Sequence, residues 1–327
     1  MRNVIGIDLG GTSIKYALVT ELGKVLYGSE VPSKANESAD KIIEQIKLAI
    51  QDVLHFSEQK DIKVYGIGIG SPGIIDTVTG TVIDKAENLK GWENIPLSQI
   101  LKKEFNCPIY MDNDANVMGL AEAEYGAAKN CTDVVFLTIG TGIGGALIIN
   151  GSLYGGYRNR GGELGHFPLI ANGEACNCGS VGCFEQYAST TALIRRYKRR
   201  LTKANKPIPE HIDGKMIVEK FKENESEAVE SLTEHCDFIG HAIAGFISIF
   251  SPQKVIIGGG ITDSGEFYIE MINAAARKYS MSGSSFGTKI EKATLGNQAG
   301  CLGAASLVFT ARSEERRVGK ECRSRWS

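Results

Sequence analysis

The stretch VIGIDLGGTSIKYALV, residues 4–19, places two apolar runs rich in β-branched residues on either side of a short glycine turn. This pattern is typical of a β-hairpin. The stretch DVVFLTIGTGIGGALIING, residues 133–151, repeats the arrangement with a second glycine turn. We therefore expect a hairpin-opening unit that occurs twice, in which glycine lets backbone N–H groups come close to an anion.

The segments that follow each hairpin alternate between strand and helix patterns. Strands are predicted over 25–31, 64–70, 108–112 and 254–261, and helices over 38–57, 95–105, 115–125, 266–278 and 299–309. Residues 186–250 are predicted to be mostly helical and to end in an apolar helix over 241–250. Such alternation predicts an α/β layer architecture.

Glycine is the residue in excess, with 39 in a chain of 327, about 12% against a usual ~7%. The 36 basic and 38 acidic side chains give a formal charge of −2, which provides no general attraction for nucleic acid or an anionic membrane. No run approaches the ~20 apolar residues of a membrane span, and no signal peptide precedes Val4. We therefore expect a cytoplasmic protein that binds neither nucleic acid nor membrane.

The composition changes abruptly at Arg312, where RSEERRVGKECRSRWS follows an apolar helical pattern. This segment has six basic and three acidic residues. It is either a natural basic arm or a segment foreign to the natural protein. We expect residues 312–327 to be non-native or disordered and assign them no function.

Three glycine motifs suit the phosphates and base of a nucleotide. In DLGGT, residues 8–12, backbone N–H groups, the Thr12 hydroxyl and Lys15 favour an anion, while Asp8 suits Mg²⁺ held through water. TIGTGIGG, residues 138–145, repeats this chemistry, and a later GGG offers flat backbone to a nucleobase or ribose. The alternative for each motif is a plain tight turn, but two equivalent loops in one chain favour a triphosphate. The predicted ATP contacts are Asp8, Gly10, Gly11, Thr12, Lys15, Thr138, Gly140, Thr141, Gly142, Gly258, Gly259 and Gly260.

The motif MDNDAN, residues 111–116, lies where a predicted strand ends and a helix begins. A carboxylate there could accept the proton of an attacking hydroxyl during phosphoryl transfer, and Asn113 could fix the alcohol. The alternative is that these side chains only cap the helix. With phosphate motifs in the same chain, we predict Asp114 as the general base and Asp112 as its support or as the cap.

The segment from Glu163 to Glu185 contains ELGH followed by C-x-C-x4-C-x-E. One imidazole and three thiolates, from His166, Cys176, Cys178 and Cys183, form a common closed zinc set, so the predicted metal is structural. It would order the loop that carries Glu163 and Glu185, whose carboxylates suit a polyol. The alternatives are reduced loop cysteines with a buried histidine, and glutamates that form surface ion pairs.

The glycine motifs together resemble the sugar kinase, actin and heat-shock ATPase superfamily. Taken in order, DLGGT, NDAN, TIGTGIGG, ELGH and the cysteine cluster resemble the ROK family of bacterial sugar kinases and repressors, from Val4 to about Ala311. The segment NLKGWENIPL, residues 88–97, further resembles the glucokinases of that family, whereas the arginines before Glu163 are more numerous than in many glucokinases.

The resemblance implies an α/β fold of two ribonuclease-H-like domains with ATP in an interdomain cleft. An N-terminal domain is predicted over 1–115, with a helix at about 297–311 packing back on it, and a C-terminal domain with the zinc loop over 116–296. By resemblance Asp114 is the catalytic base, His166 is both a zinc ligand and a sugar contact, and a homodimer is expected. The hexose contacts implied in this way are Gly73, Asn113, Asp114, Glu163, His166 and Glu185.

The function expected from these residues is ATP-dependent phosphorylation of a hexose, with glucose at its 6-hydroxyl as the first candidate and Mg²⁺ neutralising phosphate charge. The alternative is a kinase for N-acetylmannosamine, N-acetylglucosamine, fructose, mannose or allose. A sugar-sensing repressor is disfavoured, because family repressors carry a helix-turn-helix domain before the first hairpin and only three residues precede Val4.

Overall fold

The computed structural model describes residues 1–84, 86 and 88–324, with the backbone alone over 312–324, and its chain divides into two units. The first unit contains Met1–Lys129, Leu153–Gly161 and the chain from Asn297 onward. The second contains Asn130–Ser152 and Gly162–Gly296.

The first unit is built on a five-stranded sheet of order β3-β2-β1-β4-β7. The antiparallel pairs β1–β2 and β2–β3 are followed by the parallel pairs β1–β4 and β4–β7. Its strands are β1 (Asn3–Leu9), β2 (Ser13–Thr20), β3 (Val25–Pro32), β4 (Val64–Ser71) and β7 (Ile109–Asn113), with a separate pair β5 (Ile75–Asp76) and β6 (Thr81–Val82). Its helices are α1 (Ala39–Gln59), α2 (Leu97–Lys102), α3 (Asp114–Glu124) and α9 (Ala299–Ser324).

The second unit repeats this topology with a sheet of order β10-β9-β8-β11-β12. Again one antiparallel hairpin, β8–β9, is followed by two parallel pairs, β8–β11 and β11–β12. The strands are β8 (Val134–Ile139), β9 (Ile143–Ile149), β11 (Lys254–Gly258), β12 (Lys289–Lys292) and β10 (Ser152–Leu153), at which the chain leaves the unit. The helices are α4 (Glu185–Ala188), α5 (Thr190–Lys203), α6 (Gly214–Lys222), α7 (Ser226–Phe250) and α8 (Glu266–Tyr279). The predicted twofold occurrence of a hairpin-opening unit is confirmed.

Helix α1 shows how the sequence pattern becomes a buried face. Ser38 caps its first turn by accepting a hydrogen bond from the Lys41 N–H, as N-cap serines do. The apolar positions at helical spacing are fully buried in the core of the first unit, including Ile42, Ile46 and Ile50. The helix therefore covers the sheet with the face that its periodicity predicts.

Part of the glycine excess serves packing rather than ligand approach. A Cβ at Gly6 in β1 would overlap the carbonyl oxygen of Cys301, and a Cβ at Gly68 in β4 would overlap that of Ala304. Both carbonyls belong to α9, so these glycines let the last helix lie directly on the sheet. The three ligand-binding motifs therefore account for only part of the glycine excess.

Several elements differ from the sequence-based expectations. Strand β12 was not predicted, because its sequence KIEK has only Ile290 as an apolar residue. The predicted domain boundary after residue 115 falls inside α3, which stays with the first unit: Gly303 of α9 lies so near Val117 of α3 that a Cβ there would overlap the Val117 carbonyl oxygen.

The last helix does not end where the composition changes. Its backbone continues past Arg312 to Ser324, so the expectation of disorder over 312–327 is wrong for 312–324, where glutamate, arginine and lysine favour helix. Residues 325–327 lie outside the described residues. Within the described chain, no helix combines the length and apolarity needed to cross a membrane.

Candidate functional site

The junction between β7 and α3 fixes the side chain of Asn113. Asn113 is the N-cap of α3, and its Oδ1 accepts hydrogen bonds from the N–H groups of Ala115 at 2.9 Å and Asn116 at 3.3 Å. Its Nδ2 donates to the carbonyl of Gly73 at 3.1 Å. Of the two roles foreseen for this motif, helix capping is therefore taken by Asn113 and not by Asp112.

Asp112 is a buried carboxylate that supports the junction from beneath. Its Oδ1 accepts from the Asn113 N–H at 2.7 Å, from Asn116 Nδ2 at 2.8 Å and from Asn159 Nδ2 at 3.3 Å. Burial raises the pKa of Asp112, and these hydrogen bonds oppose the rise. The supporting role predicted for Asp112 agrees with this geometry, whereas Asn159 was missed because only the tertiary fold brings it here.

Asp114, the first residue of α3, is half-buried. Its Oδ1 accepts from the Ala115 N–H at 2.9 Å. Burial raises the pKa of Asp114, and that hydrogen bond opposes the rise. A carboxylate with a raised pKa beside a rigid cap has the properties of a general base.

The turn between β1 and β2 brings Asp8 into the electrostatic range of Asp114. Burial, and then the Asp114 charge, raise the pKa of Asp8 to about 6, while Lys15 lowers it. The turn is closed by a hydrogen bond from Gly10 N–H to the Ser13 carbonyl at 3.0 Å and leaves Thr12 exposed. An acidic group whose pKa is raised by a neighbouring carboxylate is a place where a divalent cation is stabilised.

The turn between β8 and β9 is fixed by the chain that follows the cysteines. The Gly140 carbonyl accepts from the Thr190 N–H at 2.9 Å, and the Thr141 carbonyl accepts from Thr191 Oγ1 at 2.8 Å. At the far side of the turn, the Ile143 N–H donates to Glu185 Oε2 at 2.8 Å. The turn is therefore held at three points.

A cavity of about 650 Å³ opens beside this turn within the second unit. Its lining includes Gly140, Thr141, Thr190, Lys215, Gly260 and Asp263. A Cβ at Gly140 or at Gly260 would meet no atom within 4 Å, so neither glycine is required by the packing of the chain. By contrast, the cavity lining does not include the other predicted nucleotide contacts of this unit, Thr138, Gly142, Gly258 and Gly259. The nucleotide contacts predicted in this unit thus divide into those that line a cavity and those that do not.

The predicted metal ligands converge in the structure. The ligand atoms lie within 4.8 Å of one another in His166, Cys176, Cys178 and Cys183. Cys178 Sγ lies 3.6 Å from Cys183 Sγ, and Cys176 Sγ lies 3.6 Å from His166 Nδ1. Tetrahedral zinc with bonds of about 2.3 Å to sulfur and 2.0 Å to nitrogen separates its ligands by about 3.5–3.8 Å. The donor set and spacing therefore fit a closed zinc site.

The cluster has one further polar neighbour and one thiol with a raised pKa. Gln186 Nε2 donates to Cys176 Sγ at 3.6 Å, a neighbour that the motif does not reveal. Burial and the adjacent thiols raise the pKa of Cys183 to about 12, so a bound metal would have to displace its proton.

The predicted hexose-binding carboxylates of the second unit lie on either side of the cluster. Glu163 is exposed and precedes the 3-10 turn Leu164–His166, which packs so tightly on β9 that a Cβ at Gly165 would overlap the Ile143 carbonyl oxygen. Glu185 begins α4, two residues after Cys183. The structure thus brings Asn113 and Asp114 together with Gly73 and Asp8 in the first unit, and Glu185 together with the β8–β9 turn in the second.

Comparison with known proteins identifies a family and several relatives that this chain resembles. The model of the ROK family matches residues 4–311. A glucokinase of Thermotoga maritima is 34% identical, over 93% of this chain and 96% of its own. A ROK hexokinase from Thermus thermophilus superposes with a TM-score of 0.83 at 29% identity, over 95% of this chain and 99% of its own.

Two further relatives bear on function. A ROK family glucokinase from Streptomyces griseus, solved in complex with glucose and AMPPNP, superposes with a TM-score of 0.79 at 33% identity, over 93% of this chain and 98% of its own. A xylose repressor of Caldicellulosiruptor bescii is 31% identical, over 94% of this chain and 78% of its own. A glucokinase and a xylose repressor are therefore both among the relatives of this chain.

Proposed function

Because the chain belongs to the ROK family, we propose that it is a sugar kinase that transfers the γ-phosphoryl group of ATP to a hexose, with glucose as the preferred substrate and its 6-hydroxyl as the acceptor. The observation that carries this proposal is the carboxylate of the half-buried Asp114, which lies next to the Asn113 cap.

Asp114 is assigned the role of general base. Its pKa, raised by burial, makes it a better proton acceptor than an ordinary aspartate. The hydroxyl would lose its proton to this carboxylate while its oxygen forms a bond to the γ-phosphorus and the bond to the β-phosphate oxygen breaks. The Asn113 side chain is fixed at both ends and caps the first turn of α3, on which Asp114 lies.

ATP is assigned to the two glycine turns and to the cavity in the second unit. The cavity of about 650 Å³ has room for an adenosine, and Gly140 and Gly260 offer it bare backbone. Asp8 is assigned to Mg²⁺ through water, while Thr12 and Lys15 donate to phosphate oxygens. Mg²⁺, when bound, neutralises the charge that develops on the phosphates.

Zinc is assigned to His166, Cys176, Cys178 and Cys183, where it would supply cross-links between parts of one loop. Ligation through His166 Nδ1 leaves Nε2–H as a donor toward a sugar hydroxyl. With the carboxylates of Glu163 and Glu185 as acceptors, the loop offers both donors and acceptors to a polyol. A site of this kind rejects analogues that lack one hydroxyl.

The hexose itself is tested by a coupled ADP-release assay over glucose, mannose, fructose, allose, N-acetylglucosamine and N-acetylmannosamine. Glucose is expected to give the highest kcat/KM. Higher kcat/KM for another member of the panel would replace glucose by that sugar, and absence of turnover on all of them would refute the kinase proposal.

The catalytic assignment is tested in Asp114→Asn. The loss of a general base is expected to lower kcat by about 10²–10⁴-fold. Glucose binding, measured by calorimetry, should persist because Asn keeps the shape and a hydrogen-bonding side chain. Activity at the wild-type level would remove Asp114 from this role.

The zinc assignment is tested by elemental analysis, which should find about one zinc per chain. Cys178→Ser should lower both the zinc content and the thermal stability, while Cys131→Ser, at a cysteine outside the cluster, should change neither. Unchanged zinc in Cys178→Ser would contradict the assignment.

A further inference from the structure

Glu185 occupies the space beside the turn between β8 and β9. Its Oε2 accepts the Ile143 N–H at 2.8 Å, and a Cβ at Gly142 would overlap this same oxygen. The glycine at 142 is therefore explained by a protein carboxylate next to it, and not by the approach of a phosphate. This contrasts with Gly140, where a Cβ would find open space.

The residues after Glu185 hold the other side of the turn. Ser189 caps α5 by accepting from the Ala192 N–H at 3.2 Å, which places the first residues of α5 against the turn. There the Thr190 N–H donates to the Gly140 carbonyl, and Thr191 Oγ1 donates to the Thr141 carbonyl. One segment, residues 185–191, thus binds the turn at Gly140, Thr141 and Ile143.

These contacts determine where the N–H groups of the turn point. In a trans peptide the N–H is antiparallel to the C=O of the same unit. Because the Gly140 and Thr141 carbonyls face segment 185–191, the following N–H groups, those of Thr141 and Gly142, are directed away from that segment. Backbone N–H groups aligned in this way form an anion-binding concavity.

We propose that Glu185 is a positioning residue for the nucleotide-binding turn, in addition to the hexose-binding role assigned to it, so that one carboxylate links the two substrates. The inference rests on the proposed function. Oε2 holds the Ile143 N–H, and Oε1 is the oxygen that would accept a hexose hydroxyl. A bound hexose restricts the Glu185 side chain, which keeps the turn in its binding conformation and makes nucleotide binding tighter.

The direct test measures binding of the Mg²⁺ complex of a non-hydrolysable ATP analogue by calorimetry, without any hexose. Glu185→Ala removes the acceptor of the Ile143 N–H and is expected to weaken analogue binding about tenfold. Glu174→Ala is the matched control before the same cysteines: its carboxylate pairs with Arg195 and Arg199, and the variant is expected to bind the analogue within twofold of wild type. Wild-type analogue affinity in Glu185→Ala would overturn the proposal.

Glu185→Gln separates the hydrogen bond from general damage to the loop. Its carboxamide oxygen can still accept from the Ile143 N–H, so its analogue affinity should lie within about threefold of wild type. If Glu185→Gln binds the analogue as weakly as Glu185→Ala, the hydrogen bond does not position the turn and the proposal is wrong. Zinc content and thermal unfolding, measured on every variant, report whether the loop is intact.

The link between substrates is measured as the ratio of analogue affinities with and without saturating glucose. This ratio should exceed about fivefold in wild type and fall to one in Glu185→Ala. A ratio unchanged by Glu185→Ala would refute the link. Failure of the proposed function is distinguishable, because a protein that phosphorylates no hexose would still show the hexose-independent loss of analogue affinity in Glu185→Ala.

Discussion

The turn after β1 and the turn after β8 occupy the same place in two sheets of the same strand order, yet different parts of the chain hold them. The first turn spans four residues between the paired Leu9 and Ile14, and the second spans three between Ile139 and Ile143. Ser33, the residue after β3, holds the first turn, because its hydroxyl donates a hydrogen bond to the Gly11 carbonyl at 3.0 Å. The second is held by segment 185–191, which follows the cysteine cluster.

The two turns also differ in charge. The residue two positions before the first turn glycine is Asp8 in β1 and Thr138 in β8. Asp8 lies within electrostatic range of Asp114, and its pKa is raised to about 6. The repeated backbone therefore provides two similar turns, while single side chains give the first an acidic centre and give the second an open cavity.

The largest expected effect comes from a substitution that removes this difference in charge. Asp8→Asn removes the group assigned to Mg²⁺ and should lower kcat about 10²–10³-fold, as the loss of a preorganised electrostatic group does. Thr138→Val, at the equivalent position, should lower it less than about threefold. Steady-state ADP release at saturating Mg²⁺ measures both. Equal losses in the two variants would show that the two turns share the charge chemistry.

The hairpins themselves follow from sequence, because two apolar runs rich in β-branched residues on either side of a short glycine turn are typical of a hairpin. The convergence of His166 with the cysteines also follows, since one imidazole and three thiolates at short spacing are a common zinc-binding set. Strand β12 does not: its KIEK sequence is recruited by pairing with β11, a tertiary effect that no local pattern records.

The roles of individual glycines were hidden in the sequence as well. Gly140 and Gly142 belong to one motif, yet only the first faces open space, because the Glu185 carboxylate adjoins the second. Likewise Asn159 reaches Asp112 from 47 positions away. A linear motif shows which residues are present, whereas the neighbour that makes each one necessary is set by the fold.

The next effect concerns what lies behind each turn. β1 carries Gly6 beneath α9, whereas β8 carries the buried Phe136 two residues before Thr138. Gly6→Ala would force its methyl group into the Cys301 carbonyl and should lower the free energy of unfolding by about 3 kcal/mol. Chemical denaturation measures this change.

Gly245→Ala is the control: this helical glycine has open space at its Cβ position, and the variant should gain about 0.5–1 kcal/mol in the free energy of unfolding. Unchanged stability in Gly6→Ala would show that α9 can move away from β1.

A smaller effect, on the pH dependence of stability, tests the difference between Asp8 and Thr138. The pKa of Asp8 in the folded state, about 6, exceeds the ordinary value of 3.8, so the folded chain binds this proton more tightly than the unfolded chain does. Stability therefore falls as pH rises from 4 to 6, by about 2 kcal/mol, and the loss persists at higher pH. In metal-free buffer Asp8→Asn should remove this part of the slope and be more stable than wild type at pH 7. Thr138→Val should keep the wild-type slope; an Asp8→Asn slope identical to wild type would show that burial does not disfavour the Asp8 charge.

The smallest expected effect distinguishes the two glycines within the second turn. Because a Cβ at Gly140 meets nothing in the chain, Gly140→Ala should leave thermal stability unchanged, and its methyl group should obstruct only a ligand in the cavity. We expect the KM for ATP to rise about tenfold, which corresponds to about 1.4 kcal/mol, with the KM for hexose unchanged. Gly142→Ala differs in kind, since its methyl group would displace Glu185 from the Ile143 N–H and should raise the KM values for both ATP and hexose. Matching kinetic changes in the two variants would contradict the separation of a ligand-facing glycine from a carboxylate-facing one. A rise confined to ATP in Gly140→Ala, beside a rise in both in Gly142→Ala, would place the boundary between nucleotide contact and substrate coupling within three residues of one turn.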